Sequence, residues 1–477
     1  MPVPDPQTRL RPRDATFVYE ESDRHPSHFL AVYAFAAPAD GARGGGFSRA
    51  EAVDWMRRRL GMSPIFRRRL RRIPLDLDLP RWVADPSFDV NRHVVVTEID
   101  QPGWTPVRAA IAAVARTRLD LTRPPWEVHF LVGASDIPGL PEVVTVVVLK
   151  LHHSAGDGVA TRELEARLFA SDEPPAVDHA PARAGVAAAV DEVTRAVDAV
   201  VRFPLRMLDF GRGLARTGRA ARRVQTLVSS GVLHEPAAVR PATVFNGPVT
   251  GERTFDVALL SLDEVQRARR RHPGSTVNDV MLATVSGALT AYLTCRGLQP
   301  GTSLAAMVPM SVRPIADWDS ANKLALMTVD LHTDVRDAAD RLRAISESAR
   351  REKSRHAHED VRRAAERVES SPAWLLRLAG WAKSHRAADG ETVLLHHTTI
   401  SNLPPAADRL SLRGGPLVVA LGVLPIFDGD GLRHLISTQG SHLAITFSVD
   451  LAAMPDPERY RDLLRVELRE LAGSEAG

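Results

Sequence analysis

Cysteine is nearly missing from this chain. Cys295 stands alone in 477 residues, so no intramolecular disulfide can form, as expected of a protein in a reducing cytosol. Long apolar runs are missing too; none approaches the roughly 18 residues needed to cross a bilayer. The opening residues, Met1-Pro2-Val3-Pro4-Asp5-Pro6, carry neither the basic nor the apolar region of a signal peptide. The expectation is a cytoplasmic protein, soluble or peripheral. Lysine occurs only at 150, 323, 353 and 383, so the net charge of +3 is carried by arginine. No basic stripe interleaved with aromatics accompanies that arginine, which argues against a nucleic-acid partner. Neither a cysteine cluster nor a His-Glu-x-x-His helix is present, which argues against a metal site.

At this length one core is too small, and two lobes are expected. Residues 1–175 mix strand and helix signals. Residues 176–240 hold a linker and basic, amphipathic crossover helices, and residues 241–477 form a second mixed lobe. The Ala/Pro-rich stretch 171–187 reads as the linker itself, and 188–230 as helix broken near Phe203-Pro204. A helix is expected over Thr276–Cys295, with Ser275 or Thr276 as its cap and Gly297 just past its end. A charged, solvated helix is expected over 336–358, and strands over 418–424 and 443–449.

The densest chemistry lies at His152-His153-Ser154-Ala155-Gly156-Asp157-Gly158. It follows Val143-Val144-Thr145-Val146-Val147-Val148-Leu149, a β-branched run that reads as a buried strand. Imidazole is the side chain best suited to moving protons near neutral pH. If strand geometry persists, His152 and His153 point to opposite sides, so only one faces a cleft. Asp157 is placed to hold the loop through backbone amides or an arginine. Helical periodicity over 161–169 predicts a helix after the loop. A structural histidine pair and a metal site are the competing readings, and adjacent histidines that diverge fit metal poorly.

His-His-x-x-x-Asp-Gly resembles the motif of the CoA-dependent acyltransferase superfamily, which includes chloramphenicol acetyltransferase-like enzymes and condensation domains. Five further segments resemble the bacterial wax ester synthase/diacylglycerol acyltransferase family in particular. They are Phe88-Asp89-Val90-Asn91-Arg92-His93-Val94, the Pro124-Pro125-Trp126 region, Val277-Asn278-Asp279-Val280, Pro309-Met310-Ser311-Val312-Arg313-Pro314 with Ala321-Asn322 after it, and Ser401-Asn402-Leu403-Pro404. They fall in family order over nearly the whole chain. Pro125, Ala321 and Pro405-Ala406 depart from the family's usual residues at backbone-sensitive positions; they bear on acceptor preference more than on reaction type.

The resemblance implies an α/β fold of two chloramphenicol acetyltransferase-like lobes, each a mixed sheet with flanking helices, with the active site in the channel between them. It implies transfer of a fatty acyl group from acyl-CoA, a co-substrate, to diacylglycerol or a long-chain alcohol, with no bound cofactor. His153 would be the general base. Asp157 would be structural, paired with Arg313 or, failing that, Arg123. His152 either orients the loop or packs. Amides near Gly158 and at Ser401-Asn402 would stabilise the oxyanion. Trp126 is core or pocket wall; Asn278 and Asp279 cap a helix or line the channel, with Asn278 favoured for the channel. Arg313 and Asn322 complete the substrate-binding set. Cys295, near a helix end with no adjacent base, is not expected to carry acyl groups. Two other readings remain: a condensation-type enzyme using a carrier-protein thioester and a polyketide or peptide acceptor, and a non-catalytic lipid-surface protein. The arginines at 202, 206, 212, 216, 219, 222 and 223, set among apolar residues, make 188–230 either a membrane- or lipid-droplet-facing helix or a solvated crossover.

Overall fold

Runs of valine, leucine and isoleucine build two six-stranded sheets in the computed structural model, which describes residues 9–37, 47–170, 187–298, 301–311, 324–384, 393–407 and 409–473. Across the first sheet the strands are Ser411–Leu412, Gly415–Val423, His28–Ala36, Val143–His152, Trp126–Ser135 and Val94–Glu98. Across the second they are Leu324–Asp330, Ala305–Ser311, Thr398–Asn402, Leu432–Gln439, His442–Asp450 and Arg253–Ser261. Both sheets are mixed. Val94–Glu98 runs parallel to Trp126–Ser135, and Thr398–Asn402 runs parallel to both of its neighbours. This is the two-lobed α/β architecture that the motifs imply.

Val143–His152 is buried because both faces of its sheet are covered. On one face Tyr33, Phe35, Phe130, Val147 and Leu149 pack with Leu164, Leu168 and Phe169 of the helix Gly158–Phe169. On the other, Leu30, Val32, Val146 and Val148 pack against Val107 and Ile111 of the helix Trp104–Arg116. Phe255 and Val257 of the second sheet join that same cluster, so one continuous core ties the lobes. Each such side chain contributes about 1.5–3 kcal/mol when fully buried. A polar clamp reinforces the joint: buried Asp256 accepts from Trp104 Nε1 at 2.8 Å and from Arg461 Nη1 at 3.1 Å.

The structure departs from the sequence reading in three places. The division of the chain into lobes is crossed: Ser411–Leu412 and Gly415–Val423, both from the second half, lie in the first sheet, where Gly415–Val423 pairs antiparallel with His28–Ala36. Periodicity marks a strand but not its partner. The helix expected to break near Pro204 runs unbroken over Ala187–Ser229, 43 residues or about 65 Å. A proline removes one backbone donor, and the turns on either side carry the helix through. Gly213 lets this helix lie close against the segment Glu366–Ser370; a Cβ there would stand 2.2 Å from Ser370 Oγ. The charged helix, Ala338–Ala357, is not solvated all round, since Leu342, Ile345 and Ala349 enter the second core and Arg341 bonds buried Glu467 at 2.8 Å. Cys295, the last residue of the helix Val277–Cys295, is exposed. The linker stretch lies outside the described residues.

Candidate active site

The strand Val143–His152 delivers the two histidines to opposite fates, as alternation requires. His152 is fully buried, paired in register with His28. Its Nδ1 accepts from the Ser154 amide at 3.2 Å and lies 2.7 Å from Ser154 Oγ. An accepting Nδ1 leaves the proton on Nε2. Burial, with His28, His153 and Arg118 nearby, pushes its pKa down to about 3, so it stays neutral and cannot serve as a base near neutral pH.

His153 turns the other way, on a single 3₁₀ turn, His153–Ala155. Its amide donates to the Ser27 carbonyl at 2.8 Å. Its ring stacks on Phe17 at 4.2 Å, nearly parallel, and meets Phe29 edge-on at 5.2 Å. Two aromatic walls fix the plane of the imidazole. Its Nδ1 is buried, and the residue lines a cavity of ≈540 Å³ bounded by both lobes. The first lobe contributes Phe29, His153, Gly158 and Arg162; the second contributes Val277, Ser401, Leu403 and Leu435.

Asp157 is fully buried and caps the helix Gly158–Phe169, its Oδ1 accepting from the Val159 and Ala160 amides at 3.0 Å each. The helix start, with its partial positive charge, is thereby held at the cavity wall. Gly158 touches the other lobe: a Cβ there would stand 2.2 Å from Leu403 Cδ2. On the cavity wall Arg162 Nη1 bonds buried Glu165 at 2.6 Å, and burial raises the Glu165 carboxyl above the usual carboxylate range. Among the described residues no group of three or more His, Cys, Asp or Glu side chains is arranged to hold a metal ion.

Residues 10–281 match the wax ester synthase/diacylglycerol acyltransferase catalytic domain, and residues 320–472 match the C-terminal domain of the same proteins. The chain belongs to the wax ester synthase/diacylglycerol acyltransferase family. It is therefore an O-acyltransferase of the acyl-CoA-dependent class. A protein of Mycobacterium tuberculosis assigned as a diacylglycerol O-acyltransferase is 29% identical over 472 residues, covering 97% of this chain and 99% of that one. One of Mycobacterium bovis with the same assignment is 28% identical, covering 97% and 91%. In fold the chain is similar to the wax ester synthase/diacylglycerol acyltransferase from Marinobacter aquaeolei VT8, with a TM-score of 0.68, 22% identity, and coverage of 98% and 100%. A condensation domain from the monacolin K polyketide synthase shares the fold at a TM-score of 0.53 and 13% identity, covering 98% and 97%.

The family's motif segments divide, in this structure, into cavity wall and scaffold. His153, Gly158, Ser401 and Asn402 line the cavity. Asn278 stands beside it, its Oδ1 3.5 Å from Asn402 Nδ2. Three expected roles are corrected. Trp126 is no pocket wall: it is fully buried, donates to the Phe66 carbonyl at 3.1 Å and stacks on His93. Asp279 is a cap, exchanging bonds with Thr276 (2.8 and 3.2 Å) at the start of Val277–Cys295. Arg123, the second choice as partner of Asp157, instead lies 3.4 Å from Asp120 on the surface. Arg313 and Asn322 lie outside the described residues. Sequence reasoning missed Phe17 and Phe29, because neither spacing nor composition says which aromatics will flank a histidine.

Proposed function

We propose that this protein moves a long-chain fatty acyl group from acyl-CoA to diacylglycerol or to a long-chain alcohol, with His153 as general base. One observation carries the assignment of the base: of the paired histidines, only His153 borders the cavity shared by the lobes. His153 Nε2 takes the proton of the acceptor hydroxyl as its oxygen attacks the thioester carbonyl. The tetrahedral intermediate collapses, the C–S bond breaks, and the proton passes to the departing CoA thiolate. The mainly apolar lining of the cavity suits alkyl chains and excludes water that would hydrolyse the thioester. The amides at the start of the helix Gly158–Phe169 and the Ser401-Asn402 segment are the candidates for oxyanion donors.

The acceptors of this reaction reside in lipid, and the surface supports contact with it. Along Ala187–Ser229, Val197, Val201, Leu205 and Leu208 are exposed on one stripe. On the helix Ala373–Ser384, Trp374, Leu378 and Trp381 are exposed at helical spacing. Both helices border the turn at 75–78: Arg206 pairs with Asp78 at 3.0 Å, Arg377 with Asp76 at 2.9 Å, and Leu75 at the tip is 82% exposed. Among the described residues no helix is long and apolar enough to cross a membrane, so this face would lie on the surface, among anionic headgroups.

The test is CoA thiol release from palmitoyl-CoA with hexadecanol or with dioleoylglycerol, beside folded His153→Ala. Release that requires both an acceptor and His153 is expected, and the acceptor ratio names the activity. No release with either acceptor would move the assignment to a carrier-protein donor or to a specialised acceptor. Acceptor-dependent release that persists in His153→Ala would remove the histidine from its role.

A further inference from the structure

We propose that Glu21 is a positioning residue for the paired histidines, an inference that rests on His153 being the base. Glu21 lies in the short segment between the helix Pro12–Tyr19 and the strand His28–Ala36, and its side chain is 1% exposed. Three neighbours address its carboxylate. The Ser27 amide donates to Oε1 at 3.2 Å, and Arg118 Nη2 donates to Oε2 at 3.0 Å. His152 Nε2 stands 3.7 Å from Oε1 and completes no hydrogen bond among the described residues.

Two of these contacts lead to the base by separate routes. Ser27, whose amide Glu21 holds, is the residue whose carbonyl holds the His153 amide. His152, whose protonated nitrogen faces Glu21, accepts from the amide of Ser154 on the far side of His153. The carboxylate thus braces the main chain before and after the base. The chemistry also specifies the residue type. All three neighbours are donors, and a carboxylate is the side chain with acceptors alone. Glutamine is nearly the same shape, yet its NH₂ must point at Arg118 or at the Ser27–His152 side, donor against donor.

The experiment compares Glu21→Gln, Glu21→Asp and wild type for kcat and KM with palmitoyl-CoA and hexadecanol, per folded molecule. Nitrogen-15 NMR of labelled histidines, with His152 assigned by its loss in His152→Gln, runs alongside. Glu21→Gln is expected to lower kcat by roughly 10- to 100-fold with KM unchanged, the penalty of a misplaced base. Glu21→Asp should recover part of it. Wild type should show His152 with its proton on Nε2. A purely scaffolding role would lower the folded fraction and leave kcat per folded molecule intact, and that result overturns the proposal. So does a wild-type His152 protonated on Nδ1, a readout that survives if the variants do not fold. If wild type shows no acyl-CoA turnover at all, the functional reading fails, while the tautomer still tests the geometry.

Discussion

Adding one methyl group at Gly158 probes how the lobes meet at the base. An ideal Cβ there lies 2.2 Å from Leu403 Cδ2 and 3.6 Å from its Cγ. Ordinary carbon contacts are about 3.5–4.0 Å, so the overlap exceeds 1 Å. The Leu403 backbone is held, its amide donating to the Ile436 carbonyl at 2.9 Å, so the side chain must yield by rotating at the cavity it already lines. Overpacking of this kind costs about 1–3 kcal/mol. Against it stands a gain of about 0.5–1 kcal/mol for replacing a helical glycine by alanine. Gly158→Ala should therefore destabilise by roughly 0–2.5 kcal/mol and lower kcat/KM about tenfold through the displaced leucine. In a Leu403→Ala background the clash is gone and the helix gain remains, so the same substitution should become neutral or stabilising. Urea denaturation and kcat/KM for palmitoyl-CoA across the two single variants and the double variant give the coupling energy. A coupling below about 0.5 kcal/mol, the level at which distant sites add, would refute the contact.

Acid should unfold the protein through its buried histidines. His28, His152 and His434 are each pushed down to about 3, chiefly by burial, whereas in the unfolded chain they titrate near 6.5. Between those values the unfolded state binds more protons, so stability is level above about pH 6.5 and falls with acid by up to about 4 kcal/mol per pH unit from these three alone. Urea melts between pH 7 and 5 measure the slope, and less than one proton taken up on unfolding contradicts the burial argument. Asp157→Ala, which deletes a helix cap, should cost about 1–2 kcal/mol, and Asp157→Asn clearly less, because asparagine also caps; equal losses in thermal melts would count against the capping role. Trp374→Ala with Trp381→Ala should weaken binding to anionic vesicles at least tenfold, from the apolar area lost. Unchanged flotation would take the helix Ala373–Ser384 out of the membrane surface.

Much of the fold was legible because its signals are local. The β-branched run at 143–149 reads as a buried strand, and alternation along it separated His152 from His153. Ser275-Thr276 announces a helix start because a hydroxyl before an apolar periodic run satisfies orphan amides, and the structure assigns the cap to Thr276. The illegible parts depend on distant partners. Nothing in Gly415–Val423 says that it will leave its own half of the chain for the edge of His28–Ala36. Trp126 and Asp279 sit inside motif segments, and a motif marks residues that matter without separating those that hold the frame from those that meet substrate. Glu21 is one carboxylate in a loop of mixed charge, and only its three donors in space distinguish it from Glu20.

The placement of supports around the base has a consequence for catalysis. The supports of His153 described above belong to the first lobe: the Ser27 carbonyl, the rings of Phe17 and Phe29, and the His152–Ser154 bond. Much of the wall opposite belongs to the second lobe, at Ser401, Asn402, Leu403 and Pro404. The distance between base and bound carbonyl is thus a property of the lobe–lobe fit, which is set by the shared core of Leu30, Val32, Phe255 and Val257 and by the crossing strand Gly415–Val423. Close-packed cores transmit strain instead of absorbing it. Volume changes at Val257 or Phe255, remote from any reacting atom, should therefore register in kcat before they register in the folded fraction.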